Sequence, residues 1–207
     1  MSRVFSRLHP NLAAALEEKG WEPTPVQENV LPDVMEGHDR LVIAPTGSGK
    51  TMAGILPLFH RCLEEGWPSM SILYITPLRA LNRDVDRRLT ELAEAVGLRV
   101  DVRHGDTTQA QRAKQTRKPP NLLVTTPETF QLMFSGKNLR AMLSTVQAVV
   151  VDEVHDLAAS ERGWQLGVGL SRLEALTGRP VQRLGLSATV GNPDAVAHWL
   201  SPGKAKP

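Results

Sequence analysis

The sequence is short of several things, and each shortage closes off a class of protein. A single cysteine, Cys62, leaves no partner for an intrachain disulfide. The six histidines are scattered, so no Cys/His group has the spacing of a zinc site. Both features fit a reducing, cytoplasmic setting. Aromatic residues make up only 4% of the chain, which argues against a broad base-stacking platform. No apolar run approaches the ~18 residues of a membrane span, and Met1–Pro10 holds no signal-peptide core. Repeats and low-complexity tracts are missing as well. Charge of neither sign dominates: the formal net charge is +2, so any nucleic-acid contact has to come from local basic residues.

What remains is an ordinary composition, 41% hydrophobic and 22% charged over 207 residues. A chain of this size can bury roughly 70% of its unfolded surface, enough for one large domain or two small ones. Short apolar runs alternate with longer stretches of helical spacing. The short runs are Arg40–Ala44, Ser71–Thr76, Leu98–Arg103, Asn121–Thr125, Ala148–Asp152 and Arg183–Ser187. Several are apolar at consecutive positions, as in strands covered on both faces. Between them, Leu78, Leu81, Val85, Leu89, Leu92 and Val96 form one stripe, and Met52, Ile55, Leu56, Phe59, Cys62 and Leu63 form another. Cys62 therefore reads as a small core residue rather than a reactive thiol. The pattern predicts an α/β fold: a parallel sheet with helices on both faces. One or two helices should flank it before Arg40, and Ser201–Pro207 reads as a linker or a chain end.

The strongest chemical signal is APTGSGKT, Ala44–Thr51, placed between an expected strand and an expected helix. Gly47 and Gly49 allow the turn that aims successive N–H groups, from Thr46 through Ser48 to Lys50, at an anion. The following helix adds the positive end of its dipole. Lys50 suits the β- and γ-phosphates of ATP, and the Thr51 hydroxyl suits Mg²⁺. The first position of the general pattern, ordinarily glycine, is Ala44 here. A second cluster, AVVVDEVH at Ala148–His155, runs an apolar strand into paired acids. Asp152 could complete the Mg²⁺ shell, and Glu153 could orient or deprotonate a water attacking the γ-phosphorus. Acids at a helix start would be the plain structural alternative.

These motifs and five more occur in one order: WEPTPVQ (Trp21–Gln27), APTGSGKT, TPLRAL (Thr76–Leu81), HGDT (His104–Thr107), TTPE (Thr125–Glu128), DEVH (Asp152–His155) and SAT (Ser187–Thr189). The chain resembles the first RecA-like motor domain of superfamily 2 DExH helicases. SERG (Ser160–Gly163) and GLSATVGNP (Gly185–Pro193) are most similar to the large helicase-related (Lhr) group.

The resemblance implies a RecA-like domain at 40–200, an N-terminal helical flank at 1–39 carrying an adenine-reading segment, and a linker at 201–207. It implies an ATP-dependent DNA or RNA helicase with ATP and Mg²⁺ as cofactors. Gln27 would read adenine, although a polar helix-capping role is the alternative. Thr76, Arg79, Gly105 and Thr126 would hold the sugar-phosphate backbone of one strand; Thr76 and Thr126 are also natural helix caps. Such contacts carry little sequence information, so a single-stranded or tailed nucleic acid is the expected partner, with DNA, in a repair setting, favoured over RNA. Arg112, Lys114, Arg117 and Lys118 read as a solvated helix face that could add salt-dependent affinity. Ser187 and Thr189 would couple to the DEVH segment, with His155 joining that network. Trp164 reads as core packing, and Arg162 has no assigned role. A second RecA-like domain of the same polypeptide would bring arginine fingers, so this stretch alone should hydrolyse ATP negligibly. A small-molecule P-loop kinase and a nucleotide-gated clamp that does not unwind are the competing readings.

Overall fold

A computed structural model describes residues 3–77, 83–158 and 160–202. All six expected runs are strands, their ends shifted by no more than two residues: β1 (Arg40–Ile43), β2 (Ile72–Ile75), β3 (Val100–Arg103), β4 (Leu122–Thr125), β5 (Ala148–Val151) and β6 (Gln182–Ser187). They form one fully parallel sheet in the order β1-β6-β5-β2-β4-β3. The consecutive apolar runs sit where both faces are covered: every residue of β2, β4 and β5 is buried. The edge strands β1 and β3 are the mixed ones, and Ile43 at the end of β1 is 39% exposed.

One face of the sheet packs α1 (Pro10–Glu18), α2 (Pro25–Met35), α3 (Lys50–Glu64) and α4 (Arg83–Ala95). Ile72, Tyr74, Val124, Val150 and Leu186 point into that layer, meeting Leu16, Leu31, Ile55, Phe59, Leu89 and Leu92. The α3 stripe is buried as expected, with Cys62 at 3% exposure and Met52 and Leu63 partly buried at its margin. Burial pushes the Cys62 thiol above its ordinary value, the state of an inert core sulfur. Of the α4 stripe, Leu89, Leu92 and Val96 are buried; Leu78 and Leu81 lie outside the described residues.

The other face carries α6 (Pro127–Met133), α7 (Lys137–Leu143), α8 (Val154–Ala158), α9 (Glu161–Thr177) and α10 (Pro193–Leu200) over Leu73, Ile75, Leu123, Val149 and Val151. The remaining helix, α5 (Gln109–Arg117), flanks the β3 edge. Asp39 stitches the expected domain boundaries together. Its Oδ1 accepts from the backbone N–H of Arg183 at 2.8 Å, and its Oδ2 accepts from the Ser201 hydroxyl at 2.5 Å. Ser201, read from sequence as the start of a linker, is buried against the domain. None of the described helices is long and apolar enough to cross a membrane.

Candidate functional site

Strand order alone arranges the motifs. In a parallel sheet every strand ends on the same rim, and ligands of such sheets bind outside the carboxyl ends. Read across the rim from β1 to β3, the segments that follow the strands are Ala44–Thr51, Ser187–Thr189, Asp152–Glu153, Thr76–Pro77, Thr125–Thr126 and His104–Gly105. The phosphate loop and the paired acids thus share an edge, separated only by β6.

The loop turns where the glycines stand. Gly47 and Gly49 have φ of 80° and 91°, in the left-handed region that glycine alone enters cheaply. Gly49 is also crowded: a Cβ there would lie 2.6 Å from Gln27 Nε2 and 2.9 Å from Thr24 Oγ1. Lys50 begins α3, is buried, and donates from Nζ to the Pro45 carbonyl at 3.2 Å. The Ser48 hydroxyl is buried without a hydrogen-bond partner. Gln27 fulfils the capping alternative: its Oε1 accepts from Thr24 N at 3.1 Å, completing a capping box with Thr24 at the start of α2. Its Nε2 reaches Gly49 O at 3.2 Å, so the same side chain also braces the phosphate loop.

At the end of β5, Asp152 Oδ1 accepts from Glu153 N at 2.9 Å, and Asp152 Oδ2 accepts from Tyr74 OH at 2.5 Å. The Thr51 side chain lies close to the Tyr74 hydroxyl as well. One buried phenol therefore stands beside both residues expected to hold a metal. Burial raises the Asp152 carboxyl above its usual range, opposed by Tyr74, the Glu153 N–H and the nearby Lys50 charge. Burial and then Asp152 raise Glu153 as well. Glu153 has a φ of 49°, a left-handed backbone that costs a non-glycine residue on the order of 1–2 kcal/mol.

His155 Nδ1 stands 2.9 Å from Ser187 Oγ and 3.4 Å from Glu153 Oε2. The single Ser187 hydroxyl proton goes to Thr189 O at 2.9 Å, so Ser187 accepts from His155 and Nδ1 carries the hydrogen. Thr189 joins this network through its carbonyl.

Sequence reasoning missed Tyr74. The signal was there: the chain's one tyrosine, with a polar tip, in an otherwise apolar strand. Its partner could not be read, because nothing in the sequence states that β2 and β5 are neighbours. Asp152 is raised in the folded state, so its ionisation opposes folding; its contribution is most favourable below the unfolded value of 3.8 and is lost as pH rises through the folded one. The phenol offsets part of that loss. Tyr74→Phe should therefore lower stability by about 1.5–3 kcal/mol at neutral pH. The difference should shrink once acid protonates Asp152, because a neutral carboxyl accepts a weaker hydrogen bond. Thermal unfolding across the acid range checks this, and an equal gap at every pH would show that the hydroxyl does not act through the carboxylate.

On the other half of the rim, Thr76 is 2% exposed and its hydroxyl has no partner among the described residues. Thr126 caps α6, accepting from Thr129 N at 3.3 Å. Thr107 Oγ1 holds His104 N at 2.9 Å and shapes the turn at Gly105, where a Cβ would meet nothing within 4 Å. Arg79 lies outside the described residues. Of the basic stretch, Lys114, Arg117 and Lys118 form the expected solvated face, but Arg112 turns inward to the carbonyls of His104, Gly105 and Thr107.

Two residues after the acids behave unlike their reading. Trp164 is not core: it is 74% exposed, because α9 buries Leu166, Leu170 and Leu173 and position 164 falls off that stripe. Arg162 acquires a partner, donating to Glu128 Oε1 at 2.7 Å and so tying the start of α9 to the start of α6.

A family model described as DEAD/DEAH box helicase matches residues 24–196. The Lhr helicase/probable uracil glycosylase of Mycolicibacterium smegmatis is 44% identical over 194 residues, 86% of this chain and 13% of that protein. The ATP-dependent helicase Lhr-Core of Methanothermobacter thermautotrophicus is 37% identical over 213 residues, 95% of this chain and 25% of that protein. The structure of Mycobacterium smegmatis helicase Lhr bound to ssDNA and AMP-PNP superposes with a TM-score of 0.86 at 38% identity, covering 100% of this chain and 28% of that one. The chain thus spans no more than about a quarter of the curated relatives it matches here. The α/β architecture expected from sequence is the RecA-like fold of helicase motor domains. With most of its length matched by the family model, the chain belongs to the DEAD/DEAH box helicase family.

Proposed function

We propose that this chain is the first motor half of an ATP-driven DNA translocase or helicase, with ATP at the β1–β6–β5 part of the rim and a DNA strand at the β2–β4–β3 part. The observation that carries this reading is the pair of buried hydroxyls without a partner among the described residues, Ser48 in the first part and Thr76 in the second. Buried polar groups are rarely left unpaired, and two on one binding rim point to ligands with acceptor oxygens.

Thr46–Thr51 cradle the triphosphate, and Lys50 leaves Pro45 O for the phosphates. Gln27 keeps one N–H and one lone pair free beyond its capping bonds, enough for a bidentate contact to adenine. Thr51 and Asp152 are hard oxygen donors, one neutral and one anionic, and the strained charge of Asp152 suits a divalent cation. This donor set fits Mg²⁺, which when bound neutralises charge building on the phosphates. Glu153 orients and deprotonates the attacking water. His155, Ser187 and Thr189 hold that acid in register with the end of β6.

Thr76, Gly105 and Thr126 support one strand's phosphates, with Arg79 beside them. These contacts do not need a 2′-hydroxyl, and the Lhr structure at 38% identity holds ssDNA, which favours DNA. The small-molecule kinase reading has no use for the Ser187–Thr189 network or the Thr126 cap.

The test uses these 207 residues alone. They should bind Mg-ATP and oligo-dT weakly and turn over ATP at least about 10³-fold more slowly than a protein that also carries the arginine fingers. Lys50→Ala should remove nucleotide binding and leave oligo-dT binding intact. Turnover of several per second by the isolated chain would sink the two-half reading.

A further inference from the structure

Among the described residues, the β3 edge holds two cations without a counter-ion. Arg103, the last residue of β3, is 6% exposed, with its backbone carbonyl locked by Thr125 Oγ1 at 2.8 Å. Its guanidinium has one recorded bond, Nη1 to Gln115 Oε1 at 3.3 Å, and Gln115 is itself pinned to Val102 O at 2.9 Å. Among the described residues it forms no ion pair, and Arg112 gives Nε and Nη2 to loop carbonyls while Nη1 has no bond there. Of the two acids near Arg103 in sequence, Asp101 on the same strand forms no ion pair among the described residues, and Asp106 is 86% exposed and stands 3.8 Å from His104.

Both guanidiniums line a cavity of 360 Å³ that also presents Thr107, Gln109 and Thr116. Positions 109, 112, 113 and 116 fall on one face of α5, so the helix presents this wall as a unit. Burial, and after it the charge of Arg112, depresses the Arg103 guanidinium below its ordinary value, so the site as it stands disfavours its own cation. A buried charge of this kind is ordinarily paired, and a planar fork of N–H donors matches a phosphate.

We propose that the Arg103–Arg112 cavity is a phosphate-binding site that seats a backbone phosphate of the bound strand, beyond Gly105 at the outer edge of the rim. The assignment rests on the strand-binding reading above for the source of the phosphate; the cavity itself does not. It makes β3 a clamp for the strand's flank rather than a passive sheet edge.

Two variants test it in the 207-residue chain. Arg103→Gln removes the buried charge. Ala113→Glu, at an exposed position on the cavity wall, supplies a competing carboxylate without touching the core. Oligo-dT affinity, read by fluorescence anisotropy, should fall about threefold to tenfold in each. The slope of log affinity against log salt should become shallower by about 0.7 in Arg103→Gln, one phosphate contact fewer. Inorganic phosphate, compared with chloride at matched ionic strength, should raise the unfolding midpoint of the parent more than that of either variant.

Parent-like affinity, slope and phosphate response in both variants would overturn the site. Loss of the phosphate response with unchanged oligo-dT binding would keep a free-anion pocket and overturn the strand assignment. A chain that binds no oligo-dT would defeat the strand reading, while the phosphate arm would still decide the cavity.

Discussion

Glu153→Gln, placed in a full-length protein carrying this domain, should bind ATP as the parent does and hydrolyse it 10²–10⁴-fold more slowly, the range of a positioned general base. The substitution keeps shape and the reach toward His155 while removing the proton acceptor. The site is built for such a role. Glu153 sits on a left-handed backbone at the end of a buried strand, its carboxylate 24% exposed and 3.4 Å from His155. Burial and Asp152 both raise its carboxyl, which makes it a better base than a free glutamate. Single-turnover hydrolysis alongside equilibrium ATP binding separates the two quantities. Parent-like turnover would strip Glu153 of the role, and a parallel loss of ATP affinity would recast it as a binding residue.

Gly163→Ala should be the most damaging single methyl in the chain. A Cβ at Gly163 would lie 1.9 Å from the Leu157 carbonyl oxygen and 2.7 Å from its carbon. Those atoms are backbone at the end of α8, so no side chain can swing aside, and α8 and α9 must part. Overpacking of this severity costs about 3 kcal/mol, which for a domain of this size lowers the unfolding midpoint by roughly 6–12 °C. Gly105→Ala is the internal control, because a Cβ there meets nothing within 4 Å, and it should stay within about 0.5 kcal/mol of the parent. A midpoint for Gly163→Ala matching that of Gly105→Ala would mean the helix corner relaxes freely. The damage should extend to catalysis, since α8 begins right after Glu153 and carries His155.

The strands were legible because parallel sheets buried on both faces need consecutive apolar residues, and Val149, Val150 and Val151 are all 0% exposed. The phosphate loop was legible because its glycines serve backbone geometry, which is written locally. Strand order was not, and with it went the contacts between distant residues that no motif signals; the His155–Ser187 pair, 32 positions apart, was expected only through the family resemblance. Tyr74 meets Asp152 across 78 positions, and Arg162 meets Glu128 across 34. Trp164 misled because large apolar residues are usually buried, while its place off the α9 stripe carried the better information. Gln27 carries an adenine-reading and a capping alternative in the sequence; the fold shows the cap, and adds a brace to the phosphate loop that the sequence does not announce. Arg103 ended a short mixed run, and only its lack of an ion pair among the described residues of the fold singles it out.

The adjacency of β5 and β2 has a mechanical corollary. Asp152 N donates to Ile75 O at 2.8 Å, and Thr76 follows Ile75 directly. The backbones of the proposed metal ligand and of the first proposed DNA-facing residue are therefore about one interstrand spacing apart, ~4.8 Å. Were both roles to hold, fuel and track would need no long relay of side chains between them: a single peptide hydrogen bond already joins the two strand ends.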